Sequence, residues 1–244
     1  MTQNFAHHSL QVSAVKTPIY RLEVDLAAFV VESIRGKAQA GDVIAVTSKL
    51  FSVAEGKSIP KDSIVKRKLI EREADRFLGE GPYGVCLTVK HGIFIPSAGI
   101  DESNSEKGDY LLFPDRPFDS AEKLRRSLER ELGISPLGVI MTDSHTTPLR
   151  WGVTGIALAF SGFHPVENLV GKEDLFGRPL HFTRVNRVDA LAAAAVLQMG
   201  ESSECTPVAI IRGAKVAFSD EVDPLEVCIP IQEDLYRDFF KLTP

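Results

Sequence analysis

The chain is short of the residues that staple small or secreted folds. Its 244 residues include three cysteines, Cys86, Cys205 and Cys228. They lie far apart with no CxxC pair, which excludes a disulfide framework and a structural zinc site and fits a reducing cytoplasm. No apolar run approaches the ~20 residues of a membrane span. The opening MTQNFAHHSL has neither the basic flank nor the apolar stretch of a secretory leader. No run of lysine and arginine is long enough to suggest a nucleic-acid surface, and 28 basic against 33 acidic groups leave a formal charge of -5, so nucleic acid is not an expected partner. Gly/Ser linkers, low-complexity tracts and internal repeats are absent too.

Several catalytic signatures fail on inspection. Gly56-Lys57-Ser58 resembles the end of a phosphate-binding P-loop, but the glycine that motif needs upstream is Phe51. Gly79 to Gly84 spells GxGxxG literally, yet it follows a helical pattern and precedes a strand, the reverse of dinucleotide-binding order, and is expected to be a helix stop and a turn. His7 and His8 fall in a loose N-terminus, and His91, His145, His164 and His181 are not spaced as ligands on one element. There is no GxSxG elbow and no recognisable Cys/His pair, so covalent catalysis has no support.

What remains is ordinary and well patterned, with 44% hydrophobic and 25% charged residues. Strand-like runs occupy Val43 to Thr47, Gly84 to Val89, Gly138 to Thr142, Ile156 to Phe160 and Pro207 to Ile211. Leu124, Leu128 and Leu132 recur at helical spacing from Asp119 to Leu132, with Asp119 and Glu122 as a capping-box-like start and Gly133 as the stop. Further amphipathic helices are predicted around Leu26 to Ile34 and Val65 to Phe77. DALAAAAVLQM, from Asp189 to Met199, is apolar nearly all round and predicts an enclosed helix. This order predicts an α+β fold over residues 1–244, either one large domain or two interlocked subdomains with no readable boundary.

Three acidic residues stand at predicted element ends. Asp101 follows GIFIPSAGI, Asp143 closes the strand GVIMTD beside Ser144, and Glu201 follows the apolar helix. Strand and helix ends can converge on a cleft, where hard cations need several oxygen ligands from separate segments. Turn and capping roles use the same residue types, and spacing alone leaves both readings open.

The strings VTSKLFSVAEGK (Val46 to Lys57), SAGIDESN (Ser97 to Asn104), VIMTDSHTTPLRWGVTGIAL (Val139 to Leu158), DLFGRPL (Asp174 to Leu180) and AAVLQMGE (Ala194 to Glu201), in this order, resemble the coenzyme F420-0:gamma-glutamyl ligase family. The resemblance runs from about Val12 to Phe218. It implies an α+β fold of two subdomains, an intertwined homodimer, and a ligase that joins L-glutamate to a lactyl-phospho-deazaflavin by a GTP-driven amide bond. It implies two Mg2+ or Mn2+ ions at Asp101, Asp143, Ser144 (threonine in the family) and Glu201. Nucleotide contacts carry over to Ser48, Lys49, Asn104 and the loop of Met199, Gly200, Ser202 and Ser203, and loosely to Ala14 through Thr17. Arg150 and Arg178 are the candidates for gripping substrate carboxylates or phosphates, and Trp151, the only tryptophan, could stack on a flat ring or simply pack.

Two departures stand out, since the family's lysine before Ala-Glu-Gly is Val53 and its Gly-Arg pair is Thr146-Thr147. With TDSHTTPLR, SVAEG and IQEDLYRDFF, they look more like a branch of folate-metabolism gamma-glutamate ligases. They shift the expected acceptor to a folate-type pterin, with the deazaflavin as the alternative and GTP or ATP as co-substrate. A metal-dependent phosphatase and an inactive nucleotide-binding regulator are the readings from other classes.

Overall fold

The structure is a computed structural model that describes residues 9–105 and 107–241; His7 and His8 lie outside the described residues. In chain order the elements are β1 (Gln11–Val15), α1 (Leu26–Ile34), β2 (Val43–Thr47), α2 (Ser48–Ala54), β3 (Ser58–Ile59), α3 (Lys66–Glu73), β4 (Arg76–Glu80), β5 (Cys86–Lys90), β6 (Ile93–Pro96) and β7 (Tyr110–Leu111). They continue with α4 (Pro117–Leu132), β8 (Gly138–Thr146), β9 (Val153–Ser161), β10 (Val166–Asn168), β11 (Arg184–Asn186), α5 (Arg187–Met199) and β12 (Val208–Arg212). The mixed α+β class expected from sequence is observed.

The central sheet has the order β1-β12-β2-β8-β9. Its middle strand, VIAV at Val43 to Val46, is apolar on both faces because both are covered. Ile44 and Val46 join Val30, Val31 and Ile34 of α1 and Leu124 and Leu128 of α4 in one core. Val43 and Ala45 meet Val188, Leu191, Ala192 and Ala195 of α5 in the other. A second sheet, β4-β5-β6, packs with Leu69 and Ile70 of α3 over a smaller core, and β10-β11 forms a separate two-stranded arm. No described helix is long and apolar enough to cross a membrane.

One feature of the topology positions the candidate site. β2 and β8 are adjacent and parallel, with Thr47 opposite Thr142. Their carboxyl ends therefore open at the same sheet edge, where clefts in α/β sheets form.

Four sequence expectations need correction. The long helix starts at Pro117, not Asp119: Arg116 is the N-cap with no side-chain bond, and Pro117 supplies the preset φ of a first helical position. Gly133 is the stop, left-handed at φ 66°. The helix expected to reach Phe77 ends at Glu73, because Arg76 to Glu80 pairs with β5 and Phe77 packs into the small core. Gly79 to Gly84 is no helix stop: Gly79 lies within β4 and Pro82 to Gly84 makes the turn into β5. Finally, α5 is not enclosed all round, since Leu197 is 80% exposed on its outer side.

Candidate functional site

The end of β8 sends neighbouring side chains to opposite sides, as strand geometry requires. Asp143 turns toward the start of α2, where the Ser48 hydroxyl donates to its Oδ2 at 3.1 Å. Ser144 turns toward the end of α5, and its hydroxyl donates to Glu201 at 2.8 and 2.7 Å. The Ser144 N–H also donates to Asp143 Oδ1 at 2.7 Å.

Asp101 arrives from a third segment. It is held by a backbone bridge to Leu111, and its Oδ1 accepts the Ser103 N–H at 2.6 Å. Lys49, one residue into α2, places its ammonium 2.8 Å from Asp101 Oδ2 and donates to Ser103 Oγ at 2.9 Å. Asn104, in the left-handed region at φ 55°, donates from Nδ2 to the Ser202 carbonyl at 3.2 Å, tying this segment to the loop after α5. That loop is folded on itself: Glu204 accepts the Ser202 N–H at 2.8 Å, the Thr206 hydroxyl donates to the Met199 carbonyl, and the Thr17 N–H donates to the Cys205 carbonyl at 2.9 Å.

Four segments distant in sequence thus converge. Ser48, Lys49, Asp101, Asn104, Asp143, Ser144, Glu201 and Ser202 are joined by direct contacts. Ser203 is exposed in the same loop. The Met199 side chain is buried in the α5 core, so only its backbone reaches the loop. Arg150 is exposed in the turn between β8 and β9. Arg178 sits in the β10-β11 arm, paired with Asp174 at 2.9 Å and stacked on Phe176. Trp151 is 99% exposed, which excludes core packing. Ser103 escaped the sequence reading, although the Asp-x-Ser spacing that lets an aspartate accept the N–H two residues on was visible.

The electrostatics are those of neighbouring carboxylates with one ammonium among them. Burial pushes the Asp143 carboxyl up to about 7, with the nearby Asp101 charge acting in the same direction and the Ser144 N–H and Ser48 hydroxyl opposing it. Asp101 is also desolvated, but the Lys49 ammonium and the Ser103 N–H hold it below its ordinary value. Among the described residues no three His, Cys, Asp or Glu side chains are gathered closely enough to hold a metal ion. Lys49 lies against Asp101, and Glu201 meets Asp143 only through Ser144. The donor chemistry nonetheless fits a hard divalent cation: three carboxylates and a hydroxyl, all oxygen, one carboxylate buried beside a like charge.

The F420-0:Gamma-glutamyl ligase family profile matches residues 14–213. The chain is 33% identical to the coenzyme F420:L-glutamate ligase of Methanocaldococcus jannaschii, covering 94% of this chain and 97% of that protein. It is 36% identical to that of Methanopyrus kandleri over 78% and 81% of the two chains, and 34% identical to that of Archaeoglobus fulgidus over 92% and 94%.

Proposed function

Because the chain belongs to the F420-0:gamma-glutamyl ligase family, we propose that it joins the amino group of L-glutamate to the carboxylate of a phospho-deazaflavin acceptor, at the cost of GTP or ATP. The observation that carries this reading is the convergence of Asp101, Asp143, Ser144 and Glu201 with Lys49 and Asn104 at the carboxyl ends of β2 and β8. The folate-type acceptor suggested by Val53 and Thr147 has no support among the relatives, which are named for the deazaflavin coenzyme.

A carboxylate does not react with an amine until it is activated, and the nucleotide's terminal phosphoryl group would convert it to an acyl phosphate. Asp101, Asp143, Ser144 and Glu201 would hold Mg2+ or Mn2+, which supplies charge neutralisation to the phosphates when bound. Ser48, Lys49, Asn104, the Met199-Gly200 backbone, Ser202 and Ser203 line the place for the nucleotide. Lys49, already balanced between Asp101 and Ser103, would shift its ammonium toward phosphate oxygens. Arg150 would grip a substrate carboxylate. Arg178 belongs to this reading only if a second copy of the chain brings its arm to the site. Leu149, Trp151, Leu175 and Phe182 are each at least 90% exposed, a surface that fits burial in a homodimer. Two interlocked subdomains, one around the central sheet and one around β4-β5-β6, are part of the same proposal.

Phosphate release from GTP, measured with acceptor or glutamate left out in turn, tests the class of reaction. The expected result is release only with both present. Release with the acceptor left out would identify a phosphatase acting on the nucleotide.

A further inference from the structure

Lys49 is the cation set against the acidic side chains of the candidate site, and two oxygens hold it there. Its ammonium lies 2.8 Å from Asp101 Oδ2 and donates to Ser103 Oγ at 2.9 Å. The other Asp101 oxygen, Oδ1, accepts the Ser103 N–H at 2.6 Å. That bond fixes Ser103 beside the carboxylate, so that Oδ2 and Oγ form a preset cradle for one ammonium. With Oδ1 engaged by the backbone, Oδ2 is the Asp101 oxygen left for a divalent ion, and Lys49 holds it. An ion at ordinary oxygen distance from Oδ2 would lie within about 5 Å of the ammonium. Two cations that close repel strongly away from bulk water, so lysine and ion compete for the same oxygen.

The lysine is free to move. It stands second in α2, on a flexible four-carbon stem, and its side chain and that of Asp101 are 28% and 32% exposed, so neither is locked into the core. Asp101 and Ser103 take up two of the ammonium's three donors. Ser48, beside it in the chain, bonds Asp143, so a small swing of the stem keeps the charge within the same cluster.

Resting on the nucleotide and metal reading above, we propose that Lys49 is an exchangeable counter-charge that couples the two ligands. It holds Asp101 until a polyphosphate draws its ammonium away, and Asp101 is then released to Mg2+ or Mn2+. Each ligand therefore binds better with the other present, and linkage makes the gain mutual. A lysine that only gripped phosphate would leave binding of the metal alone unchanged when removed. One that only braced Asp101 would weaken it. An exchangeable counter-charge does the opposite, because its removal frees an anionic oxygen.

The test is calorimetry on the full chain, without acceptor or glutamate, in the wild type, Lys49→Met and Lys49→Gln. Mn2+ is titrated alone, and then the tighter-binding of GTP and ATP is titrated with Mn2+ present. Melting curves check folding, and Lys49→Gln, which can still hydrogen-bond Asp101, separates the charge from the bond. The expected result is that both variants bind Mn2+ alone about tenfold more tightly than the wild type and the nucleotide about tenfold more weakly. Saturating nucleotide should raise Mn2+ affinity more in the wild type than in either variant. Mn2+ affinity that is unchanged or lower in the variants, or equal coupling in all three proteins, would overturn the proposal while leaving the metal reading in place. Asp143→Asn tests that reading separately: it should lose Mn2+ binding, and undiminished binding there would remove the metal reading and this proposal with it.

Discussion

Asp143 carries the largest demand on its surroundings. It is a carboxyl enclosed at a strand end, with Asp101 nearby and only hydroxyl and N–H donors in direct contact. Asp143→Asn keeps the volume and removes the charge, so the fold should survive. Nucleotide-driven ligation should fall by ~100-fold or more, since even indirect partners of a metal cost 10 to 100-fold in its affinity. Steady-state rates across a magnesium titration check this, and undiminished turnover at limiting magnesium would remove Asp143 from the site. A pH dependence follows as well. With its carboxyl raised from 3.8 to about 7 in the folded chain, the native state holds a proton that the unfolded chain has released across that interval. This contribution to stability is complete below about pH 4 and is lost as pH rises through 7. Without divalent ion, the melting temperature of the wild type relative to Asp143→Asn should therefore decline between those limits, and a flat difference would contradict the burial assigned to this carboxyl. The chemistry-bearing residues were legible one by one, because acids at element ends next to small residues stand out. Their partnership was not: Ser48 and Asp143 are 95 residues apart, and only the parallel pairing of β2 with β8 brings them together.

At the scale of elements, the site depends on how closely α5 lies on β9. Gly155 faces Ser144 across the strand pair, and a Cβ there would come within 2.5 Å of the Ala192 carbonyl and 2.7 Å of Val196. Gly155→Ala must push α5 outward, costing about 1–3 kcal/mol as overpacking does, and it should displace Glu201 from Ser144. Thermal melts and nucleotide titrations together check this: both should weaken, and a variant as stable as wild type would mean that α5 tolerates the shift. The helices were readable where their periodicity was strong, as in Leu26 to Ile34, and at stops such as Gly133. The start of α4 was misplaced because Pro117 outranks a capping box as a helix opener. Phe77 was misassigned because pairing with β5 overrides local helical pattern.

Among the large apolar side chains left in water, two groups are close in sequence, Leu149 and Trp151 at the β8-β9 turn and Leu175, Phe176 and Phe182 in the arm, beside others such as Tyr83, Leu197 and Leu235. Such patches are costly unless a partner covers them. The expected oligomer is a homodimer, and Trp151→Ser combined with Phe176→Ser should shift sedimentation toward the monomer; a wild-type chain that sediments as a monomer would contradict the dimer. The α+β class was legible from the order of elements and the family from its strings, whereas the acceptor was not, because the departures at Val53 and Thr147 do not name what the chain binds. The most direct measurement is a competition in which the purified protein, nucleotide, magnesium and labelled glutamate meet equal amounts of the phospho-deazaflavin and dihydropteroate, with products resolved by mass. The expected product is the deazaflavin heavier by one or more glutamate residues, absent with Asp143→Asn; preferential labelling of dihydropteroate, or nucleotide hydrolysis with glutamate on neither acceptor, would contradict the ligase assignment.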